Sequence, residues 1–318
     1  MNPGFVASQL FQTLLAVSLA PLMLGWVNQC RAWLQNKSGP GWLQPYRVLL
    51  KLFRKDPVLA HNASWLFRLT PYVVFGCMVL AVSIVPVLAT DLPFSPGADV
   101  IALVGLFALA RVFMALAGMD VGTAFGSMGS RREMLIASLA EPALLMVFFT
   151  PALISQSTAL NTIVEVLAHR ELTLYPSLAF AAVAFVMLLL AENARIPVDN
   201  PTTHLELTMI HEAMILEYSA RHLALMEWAH ALKLMTYTAI GIALFMPWGI
   251  AQAGHWEMMP VAIAALVLKL GAAGGGLAVL EMLSAKMRIF RVPEFLGMAF
   301  LLAVLGMLTH FLLDMRAV

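Results

Sequence analysis

The sequence predicts an all-α integral membrane protein: a bundle of about eight transmembrane helices with both termini on the non-cytoplasmic side. Three observations predict this class. Of the 318 residues, 61% are hydrophobic and only 12% are charged, and the mean hydropathy is +0.85. The apolar residues come in long blocks, and the basic residues fall in alternate connections between those blocks. Soluble domains are typically about half apolar and about a quarter charged, so this composition excludes an ordinary soluble domain.

Eight apolar blocks have roughly the length that a bilayer crossing needs, which is about 20 residues. They cover residues 5–27, 71–90, 99–119, 134–155, 177–192, 229–250, 257–281 and 295–313. The first block is predicted to stay as a helix, because it is too long for a signal-peptide core and no small-residue cleavage site follows it. Pro176 precedes the fifth block, and Pro247 and Gly249 close the sixth.

The distribution of Lys and Arg orients these helices. Fourteen basic residues fall in the connections 28–70, 120–133, 193–228 and 282–294, whereas the other side holds only Arg170 and Arg316. Because basic residues are retained in the cytoplasm, these four connections are predicted to be cytoplasmic. We find no internal repeat and no low-complexity tail. Residues 1–318 are therefore predicted to form one transmembrane domain with long cytoplasmic loops at 28–70 and 193–228.

Several function classes are excluded by the residues. A net charge of +1 gives no bulk signal for nucleic acid. Cys30 and Cys77 lie far apart and form no metal-ligand spacing, which predicts no metal site within this chain. His211 and Glu212 lack the second histidine of a zinc protease, so a core or interfacial role is favoured for His211. The glycines 274–276 fall inside an apolar block with no preceding strand, which indicates helix packing rather than a phosphate loop.

The second long loop is unusually acidic. An acidic loop is most often simply solvated, but Glu192 directly ends an apolar block, and Leu, Ile and Met alternate with the acids that follow. The acidity also breaks the positive-inside pattern. Carboxyl groups held near a membrane face with raised pKa values are what a proton relay needs. The candidate ion-path residues in this region are Glu192, Asp199, Glu206 and Glu217; Glu212 and Glu227 complete the acidic set.

Charged residues also fall in or at the ends of apolar blocks. An ionised side chain at mid-bilayer costs about 2.5–3.5 kcal/mol, so such residues mark either a function, an ion pair or a snorkelling side chain. Lys269 is central in its block, and Pro142 after Glu141 frees a backbone carbonyl that water or another helix can approach. The set is Arg111, Glu141, Lys233, Lys269 and Glu281, of which the last four join the ion-path candidates.

Both long loops also carry short turn sequences beside charge that is predicted to be exposed. We expect these elements to form the docking face for partner subunits. They comprise Gly39, Pro40, Gly41 and Arg47 in the first loop, and Arg195 and Pro197 in the second.

The acidic loop carries a family pattern. Ala-Glu-x-x-(Arg or Lys)-x-Pro-Phe-Asp, followed by Glu-Leu and Glu-Tyr-Ser, is matched by Ala191, Glu192, Arg195, Pro197, Asp199, Glu206, Leu207, Glu217, Tyr218 and Ser219. On these residues the sequence resembles the complex I subunit 1 family, which comprises the proton-channel and quinone-site membrane subunit of respiratory complex I and its relatives in membrane-bound [NiFe] hydrogenases. The resemblance covers nearly the whole chain.

Within that family the sequence is most similar to the branch of formate hydrogenlyase subunit 4 and hydrogenase-4 component C. The residues that match this branch are Gly39, Pro40, Gly41, Gln44, Tyr46, Arg47, Lys51 and Leu52, then Phe67, Arg68, Leu69 and Pro71, then Gly118, Asp120, Gly122, Arg132, Glu133, Glu141 and Pro142, and finally Leu232, Lys233, Pro247, Trp248, Gly249 and Glu281. Arg132 joins the docking candidates through this match.

The resemblance implies a multi-pass subunit of the inner (cytoplasmic) membrane within an oxidoreductase complex, non-catalytic alone. The implied partners are a [NiFe] hydrogenase-like large subunit, an iron–sulfur small subunit and antiporter-like membrane subunits, in contact with the lipid bilayer. The chain itself would hold no redox cofactor; the [NiFe] centre and the iron–sulfur clusters would belong to the partners, and a bound quinone is left open. It would couple electron transfer in the peripheral arm to proton or sodium movement.

Two alternative functions remain at this point. One is the quinone-site subunit of NADH:quinone oxidoreductase, and the other is a free-standing ion transporter. Neighbouring genes for nickel maturation, for an NADH module, or for neither would separate the three functions.

Reporter fusions test the predicted orientation. An alkaline phosphatase reporter, which is active only outside the cytoplasm, is expected to be active at both the N and the C terminus, because basic connections alternate across an even number of spans. A fusion within loop 28–70 is the matched control and should be inactive. Activity of a cytoplasmic reporter at either terminus would mean that the number of spans is wrong.

Overall fold

The computed structural model describes residues 3–90, 99–169, 176–199, 209–251, 256–285 and 287–314. Within these ranges the chain is helical and has no β-strand, only two isolated bridges. The α-helices are α1 (Pro3–Leu34), α2 (Gln44–Phe53), α3 (Trp65–Ile84), α4 (Val100–Asp120), α5 (Ala124–Ser155), α6 (Leu160–His169), α7 (Pro176–Glu192), α8 (His211–Ile215), α9 (Ala220–Phe245), α10 (Met259–Leu283) and α11 (Val292–Asp314). Two 3-10 turns, Trp256–Met258 and Ile289–Arg291, precede α10 and α11.

The predicted all-α fold with membrane-spanning helices is confirmed, and the orientation of the termini stays a prediction. Six helices in the described ranges are long and apolar enough to cross a membrane: α1, α3, α4, α5, α10 and α11. The fifth predicted block, 177–192, is α7, an apolar helix of 17 residues, which is roughly 26 Å long at 1.5 Å per residue. The sixth predicted block, 229–250, falls largely in α9, which is long enough at 26 residues but carries more polar side chains.

Several helix ends differ from the predicted blocks. The predicted loop 120–133 is mostly helix, because Thr123 caps α5 by accepting a hydrogen bond from the Gly126 amide at 3.3 Å. Helix α3 likewise starts six residues early at Trp65, where the Ser64 hydroxyl accepts from the Leu66 amide at 3.1 Å. Hydropathy alone missed these ends because Arg68 interrupts the apolar residues at the start of α3, and Gly, Ser, Arg and Glu residues fill the first turns of α5.

The four connections that the sequence grouped together meet at one end of the bundle. We call this the basic end; it comprises residues 35–64, 121–123, 193–199 with 209–219, and 284–291 apart from 286. The Ser64 amide donates to Asp120 at 2.8 Å, the Val58 amide to the Ser219 hydroxyl at 2.8 Å, and the Met287 amide to the Pro197 carbonyl at 3.1 Å. Backbone hydrogen bonds join the connections of the opposite end in the same way.

Helix α9 occupies the centre of the bundle. It contacts α1, α2, α3, α6, α7 and α10, and Leu232, Leu234, Met235 and Tyr237 are all buried. Because α9 is surrounded by protein rather than lipid, it can hold polar groups that a lipid-facing helix would have to avoid. Helices α10 and α11 lie at the periphery and expose many large apolar side chains.

Helix α10 packs closely on α1. A Cβ atom at Gly274 would lie 2.6 Å from the Trp26 ring, and the Trp26 indole donates to the Gly271 carbonyl at 2.9 Å. The predicted packing role of the glycine run is therefore confirmed for Gly274. A Cβ atom at Gly275 or Gly276 would meet nothing within 4 Å, so those two positions carry no such contact.

Candidate functional site

A buried arginine gathers three carboxylates from two helices. The Arg111 guanidinium, on α4, lies 3.1 Å from a Glu133 oxygen and 2.9 Å from a Glu141 oxygen, both on α5, and it also contacts Glu192 at the end of α7. Arg111 and Glu192 are buried, whereas Glu133 and Glu141 are partly exposed. A guanidinium presents five N–H donors in a fixed plane, so a single arginine can bind three carboxylates at once.

A lysine completes this group, which we call the Arg111 cluster. Lys233, on α9, lies 3.0 Å from the same Glu192 oxygen that Arg111 contacts. Tyr237, one turn further along α9, stacks on Phe107 with ring centroids 4.8 Å apart and closes one side of the cluster. Three carboxylates against two cations leave a formal charge of −1 if all five groups are ionised.

The chain reverses immediately after Glu192. Ala194 has a φ of 48°, in the left-handed region, and the Arg195 amide donates to the Leu190 carbonyl at 2.9 Å. The Asn193 side-chain amide donates to the Leu189 carbonyl at 2.8 Å, which satisfies part of the helix end. This reversal places Glu192 and Arg195 on two separate ion networks.

Arg195 belongs to the second network. Its guanidinium lies 3.1 Å from one Glu281 oxygen, and Arg31 lies 3.6 Å from the other. Burial and the nearby Arg31 charge lower the pKa of Arg195, and the Glu281 carboxylate opposes that shift. An arginine stays protonated under such conditions, so this network joins α1, the loop after α7, and α10 through fixed charges.

Two cavities lie beside these networks. The small cavity, of about 30 Å³, is lined by the Arg111 cluster residues Arg111, Glu133, Glu192 and Lys233. The polar cavity, of about 230 Å³, is lined among others by Arg31, Asn28, Arg195, Asp199, Glu212, Glu227 and Glu281. His211 and His230 line both cavities.

The two histidines are neighbours. His211 begins α8 and His230 lies on α9, and their ring centroids are 4.8 Å apart. Burial and the nearby Lys233 charge lower the pKa of His211 to about 4. Burial raises the pKa of Glu212 next to it. His211 is therefore neutral near pH 7, and Glu212 binds a proton more readily than a solvated carboxylate.

The Glu-Tyr-Ser sequence fastens the two long loops together. The Tyr218 hydroxyl donates to the Phe67 carbonyl at 3.0 Å, and the two rings stack with centroids 3.9 Å apart. The Ser219 hydroxyl donates to the Val58 carbonyl at 2.6 Å. Arg132 reaches the acidic loop from α5 by donating to the Met209 carbonyl at 3.0 Å.

Comparison with known proteins decides the family. Residues 7–312 match the NADH dehydrogenase family. The chain belongs to that family. Among curated relatives, it is 32% identical over 296 residues to formate hydrogenlyase subunit 4 of Escherichia coli (strain K12), covering 92% of this chain and 95% of the relative.

Two further relatives are a hydrogenase subunit and a subunit of NADH-quinone oxidoreductase. Hydrogenase-4 component C of E. coli is 36% identical over 244 residues, which is 76% of each chain. NADH-quinone oxidoreductase subunit 8 of Thermus thermophilus is 29% identical over 239 residues, covering 70% of this chain and 60% of the relative. The complex I subunit 1 family and its hydrogenase-4 and formate hydrogenlyase branch, which the sequence motifs indicate, are thus confirmed.

A solved structure shares the fold. A chain in the membrane-bound sulfane sulfur reductase, an archaeal respiratory membrane complex, superimposes with a TM-score of 0.79. The match covers 96% of this chain and 99% of that chain at 17% identity, so it supports the fold alone.

The structure brings together only some of the predicted ion-path residues of this family member. Glu141, Glu192 and Lys233 meet in the Arg111 cluster, and Glu281 lies in the second network. Asp199 is buried, lines the polar cavity, and accepts a hydrogen bond from the Ile210 amide at 3.2 Å. Glu206 lies outside the described residues.

Two predicted ion-path residues lie apart from the cluster. Lys269 donates to the Met246 carbonyl at 2.6 Å and to the Trp248 carbonyl, so it binds the chain just after the end of α9. Lys269 therefore snorkels toward polar backbone groups. Its central position in the apolar block 257–281 had disfavoured this interpretation. Glu217 is exposed at the basic end.

The docking candidates also divide. Arg47 is exposed on α2 as predicted, and Gly39 and Gly41 form a tight turn against Gln29: a Cβ atom at Gly39 would lie 2.1 Å from the Gln29 side chain, and Gly41 has a φ of 88°. The prediction of exposed charge at Arg195 is wrong, because Glu281 draws that side chain into the protein, where it is 8% exposed. The Pro197 carbonyl accepts a hydrogen bond from the Met287 amide, which joins this loop to the connection before α11.

Sequence reasoning misses the central residue and the histidine pair. The sequence marks Arg111 as a buried charge, but it does not show which acids a mid-helix arginine will meet. It favours a core role for His211 and does not single out His230. One signal is present: Glu227, His230 and Lys233 recur at three-residue spacing, which places them along one side of α9. No group of three metal-ligating side chains occurs in the part of the chain that the structure describes.

The first structural prediction concerns Arg111. Arg111→Gln should lower the stability of the protein by roughly 3–5 kcal/mol, because it leaves buried carboxylates without their main cation. Arg131→Gln, at an exposed arginine of the same helix as Glu133, is the matched control and should have little effect. Thermal unfolding of the detergent-purified variants measures both. Equal melting temperatures for the two variants would contradict the central role of Arg111.

Proposed function

We propose that this chain is the membrane anchor and ion-coupling subunit of a multisubunit hydrogenase or complex I-type oxidoreductase. It would link electron transfer in a peripheral arm to proton or sodium movement through the membrane. The relatives are named as subunits of formate hydrogenlyase, hydrogenase-4 and NADH-quinone oxidoreductase. The observation that carries the ion-coupling part is the Arg111 cluster.

The cluster has the charge balance of a proton-binding site. Its three carboxylates exceed its two cations by one, and a buried net charge is costly. Binding one proton neutralises the group, and losing it restores the charge, so the protonation state responds to charges that change nearby. Glu141 is the most accessible of the three carboxyl groups, with about a third of its side chain exposed, and is therefore the best placed to exchange a proton.

Glu141→Gln tests ion coupling. The amide keeps the size of the carboxyl group and can still accept a hydrogen bond from Arg111, but it cannot titrate. We expect the complex to assemble and proton uptake by proteoliposomes to fall severalfold when reduced viologen supplies electrons. Glu257→Gln, at an exposed carboxylate near the start of α10, is the control and should transport normally. Full transport by Glu141→Gln would assign the cluster a structural role only.

The basic end has the features of a docking face. Tyr218 and Ser219 join the two long loops into one unit. On that unit α2 exposes Arg47 and Lys51 while burying Leu49. A fixed surface with exposed basic groups suits partners with acidic surfaces. We propose that the hydrogenase-like large subunit and the iron–sulfur small subunit bind here, and that antiporter-like subunits bind laterally in the membrane.

Charge removal on α2 tests docking. Arg47→Ala should release the peripheral subunits during purification at moderate salt, because exposed ion pairs are weakened by screening. Arg47→Lys keeps the charge and should retain them. If Ala and Lys variants retain the same amount at every salt concentration, Arg47 takes no part in docking. If no oxidoreductase subunit purifies with the unaltered chain, the free-standing transporter is favoured instead.

A second candidate function, quinone binding, is favoured by one observation. A cavity of about 170 Å³ between α1 and α2 has apolar walls at Pro21, Leu24, Val48 and Leu49. It shares Leu24, Asn28 and Glu227 with the polar cavity, so an amphipathic ligand would meet apolar and then polar walls. The redox centres themselves, [NiFe] and iron–sulfur, would lie in the partner subunits.

A further inference from the structure

A pair of histidines lines both cavities. His211 and His230 have ring centroids 4.8 Å apart, with an angle of 33° between the ring planes. Both residues line the polar cavity and also the small cavity. The pair comes from two different helices, α8 and α9, so the contact depends on the loop after α7 being folded back against α9.

Each cavity offers groups that exchange protons. On the polar side, Glu212 adjoins His211 in sequence and Glu227 lies one turn before His230 on α9. On the small side are the Glu133 and Glu192 carboxylates of the Arg111 cluster. The small cavity, at about 30 Å³, has room for only one or two water molecules. Three of the described residues line both cavities, Ala194, His211 and His230, and of these only the two histidines have side chains that can carry a proton.

We propose that His211 and His230 form a proton bridge between the polar cavity and the Arg111 cluster. This inference rests on the proposed ion-coupling function and specifies that the ion is a proton. An imidazole can accept a proton at one nitrogen and release another from its second nitrogen, which a sodium ion cannot use.

The transfer is balanced as follows. A protonated Glu227 or Glu212 gives its proton to the basic nitrogen of one ring and becomes a carboxylate. That ring releases the proton on its other nitrogen to the second ring, which in turn releases one to a carboxylate of the Arg111 cluster, directly or through a water molecule. One proton has moved, each imidazole is again neutral with its tautomer exchanged, and no electron is transferred.

The surrounding charges keep the bridge neutral at rest. Lys233 lies on the Arg111 side and Arg195 lines the polar cavity, and both disfavour an imidazolium. The low pKa of His211 agrees with this arrangement. A ring that cannot hold a proton for long can still pass one on, because the neutral form has both a donor and an acceptor. Asp199, Glu212 and Glu227 on the polar side supply the opposing negative charge.

Glutamine substitutions test the bridge. In His211→Gln and His230→Gln, the side chain keeps hydrogen-bonding capacity but cannot relay a proton. We expect the whole complex to assemble and its proton uptake in proteoliposomes to fall by about tenfold or more. His222→Gln is the matched control, because His222 is a buried histidine of the same helix that packs against Tyr72 and lines neither cavity.

Chemical rescue separates a proton bridge from a structural role. In His230→Ala, added imidazole should restore proton uptake, because the polar cavity adjoins the vacated position. Pyrazole has nearly the same size but is a far weaker base, so it should not restore uptake. Equal rescue by both compounds would mean that the ring only fills space. Failure of His211→Gln, His230→Gln and His230→Ala all to assemble would also assign the two rings a structural role. Either result would overturn the bridge.

The Glu141→Gln result distinguishes this inference from the proposed function. If Glu141→Gln loses proton uptake while both histidine-to-glutamine variants transport fully, ion coupling stands and the bridge is wrong. If all three variants transport fully, the proposed ion coupling fails and the bridge fails with it. Loss of proton uptake in all three variants supports both the ion coupling and the bridge, provided that His222→Gln transports normally and that imidazole but not pyrazole rescues His230→Ala.

Discussion

The buried contact of Arg111 with Glu192 is the interaction on which the rest of the site depends. It joins the middle of α4 to the last residue of α7, and Glu133, Glu141 and Lys233 bring α5 and α9 to the same point. A buried charge without a partner is costly enough to unfold a small protein. Once Arg111 lies inside the bundle, the neighbouring helices must therefore supply carboxylates, and their relative heights are fixed.

The turn after Glu192 carries this constraint to the basic end. Because the chain reverses at Ala194, Arg195 points away from the Arg111 cluster and pairs with Glu281 on α10. The two networks hold the loop from both sides, and the loop places His211 against His230. The basic end, the polar cavity and the Arg111 cluster are thus joined through this loop, which carries His211 and one member of each network.

Charged side chains concentrate at the centre of the helix bundle and apolar ones at its periphery, which is the opposite of a soluble protein. The peripheral helices α10 and α11 are apolar outside, whereas the central helix α9 carries His230 and Lys233 toward polar partners. A lipid-facing ionised group would cost several kcal/mol, while the same group surrounded by protein can be paired. Its central position also explains why α9 is not among the six helices that are apolar enough to cross a membrane by composition, and why its first nine residues fall outside the predicted block.

The sequence by itself determined the membrane class, most of the long apolar helices, the grouping of basic connections at one end and the family, because these follow from hydropathy, charge and local motifs. It also selected Glu141, Glu192, Lys233 and Glu281 as charges that need partners, since each interrupts or ends an apolar block. Only the tertiary structure decided which groups become partners. Glu281 pairs with Arg195, Lys269 on α10 binds backbone carbonyls just after α9, and His211 contacts His230, nineteen positions further along the chain. The physical reason is that the cost of burying a charge is local, whereas the group that offsets this cost comes from whichever helix the packing brings beside it.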